Sequence, residues 1–98
     1  MSDYHPTFDQ PHPDLPAALD ELRERLAEHV HDVWAAGRLA DGWVLGPARN
    51  DERKEHPNLV PYEVLSEQDK AIDRATAEAT LRFILAHGWQ IRPPHQEG

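Results

Sequence analysis

Two stretches with helical periodicity, separated by a proline-containing segment rich in charge, constrain the fold of this 98-residue chain most strongly. The segment is GWVLGPARNDERKEHPNLVPY and covers residues 42–62. A structureless connection of this length is uncommon in a compact domain unless it carries a function. We therefore expect its hydrophobic ends to close the core and its charged middle to serve a binding site.

The first helical stretch follows Asp14, a suitable N-cap, and Pro16, which the first turn of a helix tolerates. Apolar residues then recur at spacings of three and four, as on a helix with one buried stripe. Gly42 is of the type favoured just past a helix end. The pattern predicts a helix over about 15–41, with a core stripe of Leu15, Leu19, Leu22, Leu26, Val30 and Val33.

The second helical stretch begins at Ser66, where the letters SEQD form a variant of the capping box, and ends before Gly88. Residues 89–91 then predict a short strand that pairs with WVL or LVPY of the preceding segment. The expected fold is mainly α: two antiparallel helices clamped by a long loop with a small β element. The predicted core stripe of this helix, over about 66–87, is Ile72, Ala75, Ala79, Phe83 and Ala86, widened by Leu81, Ile84 and Leu85.

Composition excludes several kinds of site. The chain has no cysteine, so it offers neither a disulfide framework nor a thiol nucleophile. Its net charge is −8 with seven histidines counted as neutral, which argues against nucleic-acid and anionic-membrane partners. We find no signal-peptide pattern and no apolar run of membrane-spanning length, and we expect a cytoplasmic protein. The predicted organisation is an extended arm (1–13), one domain (14–92) and a tail (93–98).

Aromatic and basic residues form the best candidate for a binding site. His31, Trp34 and Arg38 are spaced to lie along one face of the first helix. A tryptophan can stack a purine for about 1 to 3 kcal/mol, and an arginine can bind phosphate through two hydrogen bonds. The only concentrated positive charge in the chain follows in the long segment, at Arg49, Arg53 and Lys54.

A series of short motifs over about 26–91 resembles the ryanodine receptor repeat, also called the RyR domain. The motifs are His31 and Trp34, Gly42 and Trp43, Gly46, Pro47 and Arg49, Arg53 and Lys54, His56 and Pro57, and the run LVPY at 59–62. The resemblance implies a mostly helical fold with a small β element, without established catalytic activity and without a cofactor. Paired repeats of this family have been linked to adenine nucleotides, and prokaryotic members are suspected of sensing NAD-derived nucleotides.

The resemblance and the residues together predict a binding module for an adenine or NAD-derived nucleotide, of the ATP or ADP-ribose class. The alternative is a protein-interaction module that uses the same aromatic surface without a ligand. Packing in the core is the alternative role for Trp43 and Tyr62. The candidate ligand contacts are His31, Trp34, Arg38, Trp43, Arg49, Arg53, Lys54 and Tyr62.

The resemblance also bears on assembly. Such repeats occur as tandem pairs with approximate twofold symmetry in large channels, and as single copies in bacterial and phage proteins. This chain has one copy, and a lone copy would leave the edge of Trp34 exposed. We therefore expect a homodimer, the common solution for small symmetric proteins.

An enzyme and a metalloprotein are the less favoured alternatives. The sequence lacks a Gly-x-Ser-x-Gly elbow and a phosphate-cradling glycine loop, although nucleotide hydrolysis by Asp51 or Glu55 with His56 stays open. His29 and His31 point to different faces of a helix, so we expect no metal site there.

Overall fold

The computed structural model describes Tyr4 and residues 15–94. It contains two α-helices, α1 (Asp20–Ala40) and α2 (Glu67–Ala86), and two short strands, β1 (Val44–Leu45) and β2 (Glu55–His56). A 3-10 turn stands shortly before each helix, at Ala17–Leu19 and Tyr62–Val64. The predicted mainly helical fold with a small β element is confirmed. The arm apart from Tyr4, the N-cap assigned to Asp14 and the tail beyond residue 94 lie outside the described residues.

Helix α1 starts later than the predicted residue 15. Pro16 is extended, with φ −59° and ψ 144°, and therefore lies outside the helix. The amide of Leu19 donates to the carbonyl of Pro16 at 2.9 Å, which closes a 3-10 turn instead. Asp20 and Glu21 then occupy the first turn of α1, where the positive end of the helix dipole favours acidic groups.

Both helices end at the predicted glycines. Gly42 has φ 91°, in the left-handed region that glycine adopts without strain. The amide of Trp43 donates to the carbonyl of Arg38 at 2.9 Å, and the amide of Gly42 donates to Leu39 at 3.1 Å, a Schellman motif. Gly88, with φ 90°, ends α2 in the same way.

The start of α2 also agrees with the sequence. The amide of Asp69 donates to the hydroxyl of Ser66 at 3.1 Å, so the predicted N-cap is confirmed. The hydroxyl of Ser66 in turn donates to the Asp69 carboxylate at 2.9 Å.

The strand predicted at residues 89–91 is wrong. The amide of Trp89 is bonded to the carbonyl of Ile84 as part of the α2 ending, and its side chain is exposed. The observed sheet is instead parallel and lies wholly within the long segment, with Val44 paired to Glu55 and Leu45 to His56.

The core lies between the helices and is closed by the long segment. Trp43 and Tyr62, near the two ends of that segment, are buried, so the packing role expected for the ends is confirmed at these two residues, whereas Val44 and Leu45 are exposed. The helices contact each other through ion pairs such as Arg23 to Glu78 at 2.9 Å. Their antiparallel sense stays a prediction. The buried residues are Leu19, Ala27, His31, Trp43, Tyr62, Leu65, Ala77 and Leu81.

The predicted core stripes are wrong in part. Leu22 and Val33 on α1 are exposed, and so are Ile72 and Phe83 on α2. Burial on α2 follows Ala77 and Leu81, on nearly the opposite face from Ile72 and Phe83, and of these two buried residues only Leu81 was in the predicted stripe. Within residues 15–94, neither helix has the length and apolar character needed to cross a membrane.

Candidate functional site

A pocket of about 260 Å³ lies where α1, the long segment and the start of α2 meet. Its walls combine aromatic, aliphatic and acidic side chains. The lining residues are His31, Trp34, His56, Asn58, Leu65, Asp69, Ile72 and Asp73.

His31 forms a fixed wall of this pocket. Its side chain is only 4% exposed, and Nε2–H donates to the carbonyl of Val60 at 2.6 Å. Because a carbonyl only accepts, this bond places a proton on Nε2 and directs Nδ1 toward Asp73, whose Oδ2 is 3.9 Å away. The ring also stacks on Trp34, with centroids 5.7 Å apart and planes at 30°. The imidazole therefore ties the long segment to α1 and holds the indole in place.

Trp34 is half-buried and meets His56 edge to face, with centroids 4.8 Å apart and planes at 73°. The amide of Asn58 donates to His56 Nδ1 at 3.1 Å, which requires that nitrogen to be unprotonated. Burial, followed by the charges of Arg49 and Arg38, lowers the pKa of His56. His56 is therefore a neutral ring near pH 7 and offers Nε2–H as a donor.

Positive charge lies on the His56 side of the pocket. The guanidinium of Arg38 sits over Trp43 at 4.6 Å from the ring centroid, and 5.7 Å from that of Trp34. Arg49 binds Asp51 through Nε to Oδ1 at 2.8 Å, and this hydrogen bond holds the pKa of the Asp51 carboxyl below its usual range. Both guanidinium groups act on His56, against the opposite charges of Asp69 and Asp51, and a guanidinium group can bind phosphate through two hydrogen bonds.

Negative charge in the pocket wall comes from α2. Asp69 and Asp73 both line the pocket. Burial raises the pKa of Asp73, and the nearby His31 opposes that rise. Within residues 15–94, the carboxylate of Asp73 makes no hydrogen bond, so it can accept one from an N–H or O–H group of a ligand. The pocket wall thus combines acidic and aromatic side chains.

The structure brings together some of the predicted contacts and separates others. His31 and Trp34 line the pocket. Arg38 and Arg49 do not line it, but Arg38 lies over Trp34 and Trp43, and the charge of Arg49 acts on His56. Trp43 is buried beneath Arg38, whereas Tyr62 is buried in the core with its hydroxyl donating to Glu24 at 2.8 Å.

The remaining two cations do not line the pocket. Lys54 Nζ donates to the carbonyl of Asp41 at 2.9 Å and lies 3.7 Å from the Asp41 carboxylate. The exposed Arg53 contributes its amide to the side chain of Asn50. The structure therefore does not bring Arg49, Arg53 and Lys54 together in the pocket wall, because Lys54 is bound at the end of α1 and Arg53 is exposed.

Sequence reasoning missed the contribution of α2 to the site. Asp69, Ile72 and Asp73 follow at spacings of three and four and so share a helix face. That spacing was a usable signal, but Ile72 was assigned to the core. His56, named in the sequence only as a motif residue and in the hydrolysis alternative, and Asn58 also line the pocket. Among residues 15–94, no group of three His, Asp or Glu side chains is arranged to hold a metal ion.

Two helices are joined by a long segment that closes the core and carries a small parallel sheet. Together they define a small helical domain with a side pocket between these parts. A family model described as RyR domain matches residues 4–93. Because this match covers most of the chain, the protein belongs to the RyR domain family. The resemblance inferred from its motifs is confirmed.

Proposed function

We propose that this RyR domain is a non-catalytic binding module for an adenine or NAD-derived nucleotide, of the ATP or ADP-ribose class. The observation that carries the proposal is the pocket bounded by Trp34 and His56, with the carboxylates of Asp69 and Asp73 in its wall and with the charges of Arg38 and Arg49 acting on His56.

The size and walls of the pocket suit a single flat ring. Its volume of about 260 Å³ is below the roughly 300 to 1,000 Å³ typical of sites that enclose a whole drug-sized ligand. Trp34, Leu65 and Ile72 supply apolar contact, and His56 supplies a donor. A purine fits this description, with its sugar and phosphates outside.

The charge distribution gives such a ligand a direction. Asp69 and Asp73 repel phosphate but accept hydrogen bonds from an exocyclic amine or ribose hydroxyls. Arg38 and Arg49 attract phosphate on the other side. In a chain of net charge −8, an anion is attracted only where cations are concentrated locally. The base therefore points toward α2 and the phosphates toward the long segment.

A thermal-unfolding screen tests this proposal with ATP, ADP, ADP-ribose, cyclic ADP-ribose and NAD. A ligand at 100 times its Kd stabilises the folded state by about 2.7 kcal/mol. Trp34→Ala should abolish the ligand-induced rise in midpoint because the stacking wall is lost. Trp89→Ala is the matched control, since Trp89 is exposed and does not line the pocket. An unchanged ligand response in Trp34→Ala would refute this site.

A comparison of adenosine with ATP tests the direction of binding. Arg38→Gln should weaken ATP binding and spare adenosine, because only ATP has phosphates to contact. Asp73→Asn should weaken both ligands if the carboxylate accepts from the base or the ribose. Equal losses of both ligands in Arg38→Gln, measured by titration calorimetry, would contradict the proposed orientation.

Protein interaction without a ligand is the second candidate function. Val44 and Leu45 are exposed at β1, beside the buried Trp43, and offer apolar contact to a partner. The half-buried state of Trp34, however, favours a small molecule over a flat protein surface at that ring. No response to any nucleotide in the screen would favour this candidate.

A further inference from the structure

The exposed face of α2 carries no charge after its first residue. Every charged side chain from Asp69 to Arg82 on this helix is partly buried, although charged residues make up 29% of the chain. The exposed positions after Glu67 are Gln68, Ala71, Ile72, Ala75, Thr76, Ala79, Thr80, Phe83 and Ala86. We call this set the neutral face of α2.

The neutral face is suited to an apolar contact. Ile72 is 62% exposed and Phe83 is 58% exposed, and both lie near its centre line. The two threonine hydroxyls are satisfied within the helix, because Thr76 donates to Ile72 O at 3.3 Å and Thr80 donates to Thr76 O at 2.8 Å. Burial of these threonines would therefore leave no donor without a partner.

Glu78 and Arg74, which flank the neutral face on the side of α1, are paired within the chain, whereas Asp69 and Asp73 on the other flank line the pocket. Glu78 pairs with Arg23 at 2.9 Å and with Arg82 at 3.8 Å. Arg74 binds Glu24 through two hydrogen bonds, at 2.8 and 3.0 Å. A charged partner would thus find no complementary charge on this surface, and a neutral helix is the partner that fits it.

The neutral face is also complementary to itself. We consider two α2 helices packed antiparallel about a twofold axis level with the peptide between Ala77 and Glu78. Ile72 of one helix then faces Phe83 of the other. The alanines and threonines between them meet in the middle, where the two backbones must approach closely. The resulting pairs are Gln68 with His87, Ile72 with Phe83, Ala75 with Thr80, and Thr76 with Ala79.

We propose that the neutral face of α2 is the interface of a homodimer, in which two copies of this chain pack their α2 helices antiparallel about that axis. The neutral surface requires a neutral partner. The order of bulky and small residues along this face is the same in both directions, so the face is complementary to an antiparallel copy of itself. A twofold dimer uses one patch on both subunits, as this pattern demands. The interface differs from the Trp34 edge expected from the sequence, and the observations that support it do not involve nucleotide binding.

A charge placed in the middle of the neutral face tests the interface. The wild-type chain should form a dimer with a dissociation constant below about 1 mM, measured by sedimentation. Thr76→Glu should raise that dissociation constant at least about 100-fold, because two carboxylates would be buried without partners. Val33→Glu is the matched control, an exposed apolar position on α1 that should leave the dimer intact. A monomeric wild type, or a dimer unaffected by Thr76→Glu, would overturn the proposal.

Cysteine cross-linking tests the register independently and does not rely on the folding of Thr76→Glu. The chain has no native cysteine, so each introduced thiol is unique. Thr76→Cys mixed with Ala79→Cys should form mixed disulfide dimers in excess of either self-linked dimer, because these positions face each other across the axis. Preferential self-linking of each variant would instead indicate a parallel pair and refute the register. Nucleotide affinity is not used in either experiment, so failure here is distinguishable from failure of the nucleotide site.

Discussion

Tyr62 connects the long segment to both helices through one side chain. It is buried in the core, its hydroxyl donates to Glu24 on α1, and Lys70 Nζ on α2 lies 5.7 Å from its ring centroid. Glu24 in turn binds Arg74, and this hydrogen bond holds the pKa of Glu24 below its usual value. At this residue the packing of the segment and the pairing of the helices depend on the same contacts.

Titration of Tyr62 predicts a loss of stability at alkaline pH. Burial, helped by the hydrogen bond to Glu24, raises the pKa of Tyr62 to about 12 from an ordinary value near 10. Between pH 10 and 12 the folded state thus retains a proton that the unfolded state loses. The contribution of Tyr62 to the free energy of unfolding is therefore complete below pH 10 and falls as the pH rises toward 12.

The variant Tyr62→Phe should remove that alkaline fall and reduce the free energy of unfolding near pH 7 by about 1 kcal/mol, the contribution of one hydrogen bond. Urea unfolding of both proteins across the alkaline range measures the difference. Parallel pH profiles would show that Tyr62 is not the group responsible.

At the level of secondary structure, Gly46 sets how closely β1 and β2 approach. A Cβ at this position would lie 2.6 Å from Glu55 Cβ, closer than folded proteins allow. The amide of Gly46 also donates to the carbonyl of His56, a residue of the pocket wall. The absence of a side chain therefore matters both for the sheet and for the position of His56.

Gly46→Ala should destabilise the fold, because β1 must move away from β2. It should also displace His56 from its position in the pocket wall. Gly37→Ala is the matched control: a Cβ there meets nothing within 4 Å, and replacement of a helical glycine by alanine gains about 1 kcal/mol. Thermal unfolding should shift downward in the first variant and upward in the second. An upward shift in both would show that β1 tolerates the added methyl group.

What could be predicted from the sequence was local. The Ser66 cap and the endings at Gly42 and Gly88 depend on neighbouring residues only, and all three agree with the structure. The strand at 89–91 failed because pairing depends on distant segments, and the amide of Trp89 was already used by the helix ending. Local sequence signals do not determine whether the Trp89 amide bonds to a strand or to the end of α2.

The site was predictable on α1 and not on α2, for a related reason. Helix α2 has two apolar stripes, one through Ile72 and Phe83 and one through Ala77 and Leu81, and periodicity alone does not say which is buried. Contact with α1 buries the second stripe, which leaves Ile72 and Asp73 for the pocket. Lys54 was expected to serve the binding site but pairs with Asp41 at the end of α1, and the spacing of charges in the sequence does not reveal that pairing.

At the level of the whole molecule, the net charge of −8 predicts opposite effects of salt on folding and on binding. Between about 0.01 and 0.15 M ionic strength the Debye length falls from roughly 30 to 8 Å, which screens self-repulsion among the acidic residues. The midpoint of thermal unfolding should therefore rise. The affinity for ATP should fall over the same range because its attraction to Arg38 and Arg49 is screened.

Scanning calorimetry and titration calorimetry in the same buffers measure the two effects. A fall in midpoint with salt would show that ion pairs such as Arg23 to Glu78 outweigh the repulsion. Adenosine, which has no phosphate, is the control ligand and should show little dependence on salt.

Ile72 belongs to two surfaces at once, the wall of the pocket and the neutral face of α2. Contact with this side chain from one surface changes what it presents on the other, so the proposed ligand binding and the proposed dimer formation would be thermodynamically linked. Such linkage is reciprocal: the factor by which a nucleotide changes the dimer constant equals the factor by which dimerisation changes nucleotide affinity. The apparent Kd for a nucleotide would then vary with the concentration of the protein itself, and the domain would report its own abundance as well as that of its ligand.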